Sequence, residues 1–182
     1  MKRKLTLAGA LFLASGVILL LSQPVYAQES GGAILTGVWY WENMLPAAMF
    51  GAGAHLPSIL IFHNDGTAFC SDALAFGGAS FNPCTYTPFY GKWERIGPHG
   101  FTVTCLSLRF KEGTLIGFAR AVTEFAFSND FDHIEGELRM EFLDSAAGPL
   151  MVPDPLDPAA VWTPSAMPPL KIKAGRVGVV PY

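Results

Sequence analysis

The nine residues IEGELRMEF, at positions 134–142, show the clearest strand pattern in this 182-residue chain. Alternate positions in it are hydrophobic, and the positions between them are mainly charged. The hydrophobic positions are Ile134, Leu138, Met140 and Phe142. Successive side chains of a β-strand point to opposite faces. The pattern therefore indicates an antiparallel strand with one face in a core and the other in water.

Tight-turn sequences divide the rest of the chain into similar short strands. NDGT (64–67) and KEGT (111–114) each place a glycine where a hairpin turn requires a positive φ. About seven or eight strands result, joined mainly by hairpins, with no convincing long helix. A meander of this size closes into a barrel because closure removes exposed strand edges. We therefore predict an all-β fold, an antiparallel up-and-down β-barrel of about eight strands with a Pro-rich C-terminal extension.

The N-terminus predicts export. Basic residues 2–4 precede an apolar run at 5–21, and residues 25–27 offer small side chains at the positions that a signal peptidase reads. The mature chain is expected to start near Gln28, in the periplasm or outside the cell. An uncleaved anchor is the alternative, since the run approaches the roughly 20 residues that span a bilayer.

The composition sets further limits. The chain is 51% hydrophobic and 15% charged, against about 25% charged in an average domain. Beyond residue 27 it holds nine basic and 15 acidic residues. This acidic balance argues against a nucleic-acid partner, because phosphates require clustered Lys and Arg. We divide the chain into an export signal (1–27), a barrel domain (28–148) and an extended Pro-rich tail that packs on the barrel (149–182).

Two stretches, 59–63 and 115–127, carry hydrophobic residues on both faces of a predicted strand. The barrel exterior is then covered there, either by a second subunit of a homo-oligomer or by the tail. Eight prolines lie in the tail. Because proline cannot donate to a β-ladder, the tail is expected to run extended across the barrel wall. Residues 177–180 are expected to add an edge strand.

Cysteine usage is compatible with export. Cys70 and Cys84 flank a loop rich in Gly, Ser, Asn and Pro, and a bridge between them would constrain the least regular part of the domain. We favour a Cys70–Cys84 disulfide; another pairing with Cys105, or three buried thiols, are the alternatives. The spacing is not CxxC, which argues against a zinc site and against thiol-redox chemistry. No metal and no cofactor are expected.

The first predicted strand carries a family resemblance. Gly37-Val38-Trp39, on the first strand of a small exported up-and-down barrel, resembles the Gly-x-Trp of the lipocalin and avidin-like calycins, and Trp93 repeats it. The resemblance implies that this Trp closes one end of a barrel that holds a ligand. It does not extend to the later lipocalin motifs, a Thr-Asp-Tyr-like turn and a following Arg. More remotely, the barrel resembles allene oxide cyclases and dirigent proteins, which cyclise or couple small lipophilic molecules without a cofactor.

Three functions follow from these observations. The first is binding of a small lipophilic molecule in an aromatic-lined interior, with no membrane span after signal cleavage. The expected ligand contacts are Trp39, Trp41, Phe62, Trp93 and Arg120. The tryptophans are equally explained as core residues, and Arg120 as a surface charge.

The second function is a cofactor-free cyclase or isomerase, which requires an ionisable group inside the barrel. Its candidate catalytic residues are Arg120, Glu124, Tyr40 and Tyr90. The third is a structural protein with a filled barrel that associates through its doubly apolar strands.

Overall fold

Ten β-strands make up most of the chain that the structure, a computed structural model, describes. The described residues are 34–73, 83–129, 131–145 and 153–178. The expected export signal lies outside them. Within these ranges no helix is long and apolar enough to cross a membrane. The strands are β1 (Gly37–Met44), β2 (His55–Phe62), β3 (Thr67–Asp72), β4 (Cys84–Tyr86), β5 (Phe89–Arg95), β6 (Gly100–Lys111), β7 (Thr114–Phe127), β8 (His133–Asp144), β9 (Thr163–Pro164) and β10 (Leu170–Arg176), with a four-residue helix α1 (Ala47–Phe50) between β1 and β2.

Antiparallel pairing closes the sheet into a barrel. Each strand of the ring pairs with the ring strand that follows it along the chain, in the order β1, β2, β3, β5, β6, β7, β8 and β10, and β10 returns to pair with β1. The short strands β4 and β9 pair with β6 and β8. The predicted all-β, up-and-down antiparallel barrel of about eight strands is therefore confirmed.

The strand that closes the barrel comes from the segment that the sequence assigned to the tail. Strand β10 lies between β8 and β1, with Arg176 opposite Trp39. The barrel thus extends beyond residue 148, and this part of the tail forms the wall instead of lying on it. Although prolines crowd the residues before β10, the strand itself contains none, so its amides can join both ladders.

The edge strand expected at 177–180 is only partly within the described residues. Val177 follows the end of β10 and donates its N–H to the carbonyl of Val38 at 3.0 Å. Residues 179 and 180 lie outside the described ranges.

Alternation along the strands places the core inside the barrel. In β1, Trp39 and Trp41 are at most 2% exposed, whereas Tyr40 between them is 43% exposed. In β7, Phe125 is buried and its neighbour Glu124 is exposed. On these two strands, a residue's parity therefore determines whether its side chain enters the core.

Turn chemistry and glycines shape the ring. In the turn between β2 and β3, the Asp65 carboxylate accepts bonds from the Thr67 hydroxyl (2.7 Å) and N–H (2.9 Å), and Gly66 adopts a φ of +83°. These hydrogen bonds hold the pKa of Asp65 below its ordinary value. At Gly91 a Cβ atom would collide with the carbonyl oxygen of Thr104, so glycine allows β5 and β6 to approach closely.

The outside of the barrel has two different walls. On the first, formed by β7 and β8, strand β9 brings Trp162 over the Arg120 guanidinium, 4.2 Å from the ring centroid. We call this the covered wall. The second, which we call the open wall, is an uncharged row on β1, β2, β3 and β5 whose members lie opposite one another. They are Val38, Tyr40, Ile59, Ile61, Phe69 and Tyr90.

Candidate functional site

One end of the barrel is closed around Trp39. Its indole N–H donates to the carbonyl of Leu35 at 2.9 Å, and its side chain is fully buried. The Arg176 guanidinium lies 4.5 Å from the Trp39 ring centroid. The same guanidinium donates to the carbonyls of Thr36 (3.0 Å) and Ile34. The last strand of the barrel thereby fastens the segment before the first strand across the opening.

Beyond this closure, rings pack on rings. Phe125 lies at the centre, with centroid distances of 5.4 Å to Trp41, 6.0 Å to Phe62 and 5.7 Å to Phe101. These separations are typical of stabilising aromatic pairs. All are at most 4% exposed. We call this region the aromatic half; its members are Trp39, Trp41, Phe62, Trp93, Phe101, Phe125 and Phe127.

The other half of the interior is lined by small and polar side chains. We call it the polar half, and its members are Asn43, Ser58, Cys70, Asp72, Cys105, Ala121 and Thr123. They surround a cavity of about 40 Å³, together with the apolar residues Trp41, Leu60, Phe89, Val103, Leu138 and Met140. A space of this size is close to the minimum that admits a small molecule, so side chains fill most of the interior.

Hydrogen bonds organise the polar half. The Asn43 side-chain amide donates to the Ser58 hydroxyl at 2.8 Å and to the Leu56 carbonyl at 3.3 Å. Among the described residues, no buried side-chain nitrogen or oxygen lacks a hydrogen-bond partner. The polar groups are thus fixed in position, as burial requires.

Two thiols face this cavity. Burial raises the pKa of Cys105 to about 12, and burial, followed by the charge of Asp72, raises that of Cys70 well above its ordinary value of 9.0. Both are therefore protonated and weakly nucleophilic at neutral pH. Cys70 is a free thiol, so the expected Cys70–Cys84 bridge is not formed. The geometry explains this, because Cys84 lies on β4 opposite Lys111, at the far end of β6 from the cavity.

The candidate catalytic residues all lie on the outside of the barrel. Arg120 belongs to the covered wall, where it pairs with Glu141 at 2.5 Å and stacks on Trp162. Tyr40 and Tyr90 belong to the open wall, and Glu124 lines a shallow outer groove. Their strand parity places them opposite to the buried rings. The structure therefore brings none of the four into the interior.

The expected ligand contacts divide in the same way. Trp39, Phe62 and Trp93 are at most 3% exposed within the aromatic half, and the Trp93 indole donates to the His63 carbonyl at 3.0 Å. Trp41 touches the cavity from the boundary between the two halves. Arg120, on the outer wall, has no access to it.

Sequence reasoning missed most of the polar half, although a signal was present. Asn43, Ser58 and Thr123 are single polar residues on otherwise hydrophobic inward faces of β1, β2 and β7. Asp72 is the last residue of β3 and lines the same cavity. No local signal marks Arg176, whose role depends on closure of the ring.

These features define a closed eight-stranded antiparallel β-barrel with one sealed end and a small interior cavity. Among the described residues, no group of three or more His, Cys, Asp or Glu is arranged to hold a metal ion. No protein-family model, curated protein or solved structure matches the chain.

Proposed function

We propose that this protein binds a small lipophilic molecule in the polar half of its barrel. The position of the cavity supports this proposal: it lies among small side chains, beyond an end that Trp39 and Arg176 close. In the aromatic half, by contrast, the protein's own rings fill the interior. Barrels of eight strands hold either packed side chains or one small ligand, and here the two halves divide these roles.

The lining indicates the kind of ligand. Leu60, Val103 and Met140 offer apolar contacts, whereas Asn43, Ser58 and Thr123 bring polar atoms to the lining. A small number of polar groups in an apolar wall is typical of small-molecule sites. The ligand is therefore a mainly apolar molecule with one hydrogen-bonding group.

Ligand entry requires local movement, because about 40 Å³ is far below the roughly 300 Å³ of a pocket for a larger molecule. Leu138 and Met140 line the cavity and are only partly buried. Methionine adapts readily to irregular spaces because it has three rotatable bonds and no branch. These two side chains are expected to move aside when the ligand enters.

The remaining parts of the proposal come from the sequence. The N-terminal pattern supports export to the periplasm or the cell exterior. The calycin resemblance of Gly37 and Trp39 agrees with a Trp that closes one end of the barrel, and Arg176 supplies an arginine beside it. The cyclase alternative gains no support, since its four candidate residues lie outside.

The proposal is tested by titrating the full chain with the lipophilic fluorophore N-phenylnaphthylamine. Ala121→Leu fills the cavity and is expected to weaken binding at least about tenfold. Ala126→Leu is the matched control, because Ala126 lies on the same strand but is exposed outside. Circular dichroism checks that both variants fold. Absence of binding to the natural protein, or equal binding by both variants, would contradict the proposal.

A second function, association of two copies, is favoured by the open wall. Ile59 is 49% exposed and Tyr90 60% exposed, in an uncharged row that crosses four strands. Exposed apolar patches of this kind often mark interfaces. Native mass spectrometry is expected to find a dimer that Ile59→Glu dissociates and that Val161→Glu, on the exposed tail, does not. A natural protein that is monomeric at micromolar concentration would exclude this function.

A further inference from the structure

A notch interrupts the outer surface of the barrel where β1, β10 and β8 meet, on the opposite side of the sheet from the cavity. Its two sides are Tyr40 and His133, both exposed, and its floor is Gly175. Gly175 lies directly opposite Tyr40 on one side and His133 on the other. The groove has a volume of about 380 Å³.

The glycine floor interrupts a ladder of charged pairs. Outward-facing lysines of β10 pair with glutamates of β8 on two successive rungs, and the next outward position of β10 is Gly175. The two pairs are Lys171–Glu137 and Lys173–Glu135. No atom lies within 4 Å of the Cβ position at Gly175. Packing therefore does not require glycine here, and its effect is to leave space between two ring-bearing side chains.

The dimensions of the notch fit one ring. Neighbouring strands lie about 4.8 Å apart, so the backbone positions of Tyr40 and His133 are separated by about 10 Å across β10. A ring inserted midway would face each side-chain ring at about 5 Å, within the usual range for ring contacts. One ring standing on edge over Gly175 thus contacts both sides at once.

The next row of residues supplies both donors and acceptors of hydrogen bonds. Glu42, Lys173 and Glu135 lie opposite one another across the same three strands. The Lys173 ammonium is 3.8 Å from the Glu135 carboxylate, and both side chains are largely exposed. Carboxylates accept hydrogen bonds and the ammonium donates them. An anionic ligand would meet two carboxylates and a cationic one would meet the lysine, so the mixture suits a neutral molecule rich in hydroxyl groups.

We propose that this notch binds one pyranose ring of a carbohydrate. The apolar faces of the sugar contact Tyr40 and His133, the edge rests on Gly175, and the hydroxyl groups bond to Glu42 and Lys173. A sugar is the ligand of choice because it combines apolar ring faces with an edge of neutral hydroxyl groups. The site is separate from the interior cavity and does not depend on the function proposed for it. Because Tyr40 also belongs to the open wall, association of two copies through that wall would compete with binding of the sugar.

The test is a calorimetric titration of the full chain with cellohexaose, chitohexaose and maltohexaose at millimolar concentration. At least one of the three is expected to bind. Gly175→Thr fills the floor and is expected to weaken that binding at least about tenfold. Gly178→Thr is the matched control, since the Cβ position of Gly178 is equally open but lies beyond the notch.

Three variants separate the contributions of the Tyr40 hydroxyl, the Tyr40 ring and the barrel interior to sugar binding. Tyr40→Phe keeps the ring and is expected to retain binding, whereas Tyr40→Ala removes it and is expected to lose binding. Ala121→Leu alters only the interior and is expected to bind the sugar normally. Binding of none of the three sugars, undiminished binding by Gly175→Thr, or loss of sugar binding in Ala121→Leu would overturn the proposal.

Discussion

The two halves of the barrel interior are built on the same eight strands from different side chains. In the aromatic half, Phe125 contacts three other rings and leaves no surface for a ligand. In the polar half, Asn43, Ser58 and Thr123 occupy equivalent inward positions around a cavity of about 40 Å³. The inward aromatic residues therefore mainly seal and stabilise one end. Unfilled space occurs where several of the inward side chains are small.

The sharpest test of this comparison uses two inward positions on β7, one in each half. Phe125→Ala removes the central ring and is expected to lower the free energy of unfolding by about 3–5 kcal/mol. Thr123→Ala borders the cavity and is expected to cost about 1 kcal/mol. Urea denaturation measures both. Equal losses would show that the two halves do not differ in packing.

Substitutions at two alanines of β7 test where the unfilled space lies. Ala119 is fully buried, whereas Ala121 borders the cavity. Ala119→Val overpacks its surroundings and is expected to cost about 1–3 kcal/mol. Ala121→Val fills existing space, so its cost is expected to stay within about 0.5 kcal/mol of zero. Thermal unfolding compares the two, and a larger loss for Ala121→Val would place the space elsewhere.

The seal of the closed end depends on one cation. Arg176→Ala removes the stacking on Trp39 and two bonds to the preceding segment, at an expected cost of about 1–2 kcal/mol. Lys173→Ala, on the same strand but exposed, is expected to change stability by less than about 0.5 kcal/mol. Arg176→Lys keeps the charge but loses the planar fork, so it is expected to resemble Arg176→Ala. Full stability of Arg176→Lys in denaturant would show that charge alone suffices.

The buried thiol of Cys105 is expected to affect stability only at high pH. Burial raises the pKa of Cys105 from 9.0 to about 12, so the folded state holds its proton where the unfolded state has lost it. This contribution to stability is complete below pH 9 and disappears as the pH rises towards 12. The free energy of unfolding is expected to fall across that window, and less steeply in Cys105→Ala. Identical slopes in the two proteins would contradict a buried, protonated thiol.

The barrel itself was predictable because the signals for it are local. Alternation at residues 134–142 and the turn at 64–67 act over a few residues, and both appear in the structure as expected. The closing strand β10 was hidden by the prolines before it. Its place in the ring is determined by pairing with β1, more than a hundred residues away in the chain.

The site was less predictable. Candidate residues were chosen for their charge or their aromatic ring, but several of them lie at outward positions on their strands. Arg120 shares its face with hydrophobic residues, but that face is the outer one, since Phe125 and Phe127 occupy the interior. The residues that mark the cavity are small polar ones, such as Ser58, which lies between leucines on the inward face of β2. A polar residue on an inward face becomes meaningful only when neighbouring strands bring others beside it.

The most direct test of the polar half as a binding site is methyl NMR of the alanine and methionine residues during titration with N-phenylnaphthylamine. Ala121 and Met140 line the cavity, whereas Ala68 and Ala174 are buried near the closed end. We expect the methyl signals of Ala121 and Met140 to shift while those of Ala68 and Ala174 stay in place. Shifts confined to Ala68 and Ala174, or no shift at any of the four, would contradict this expectation.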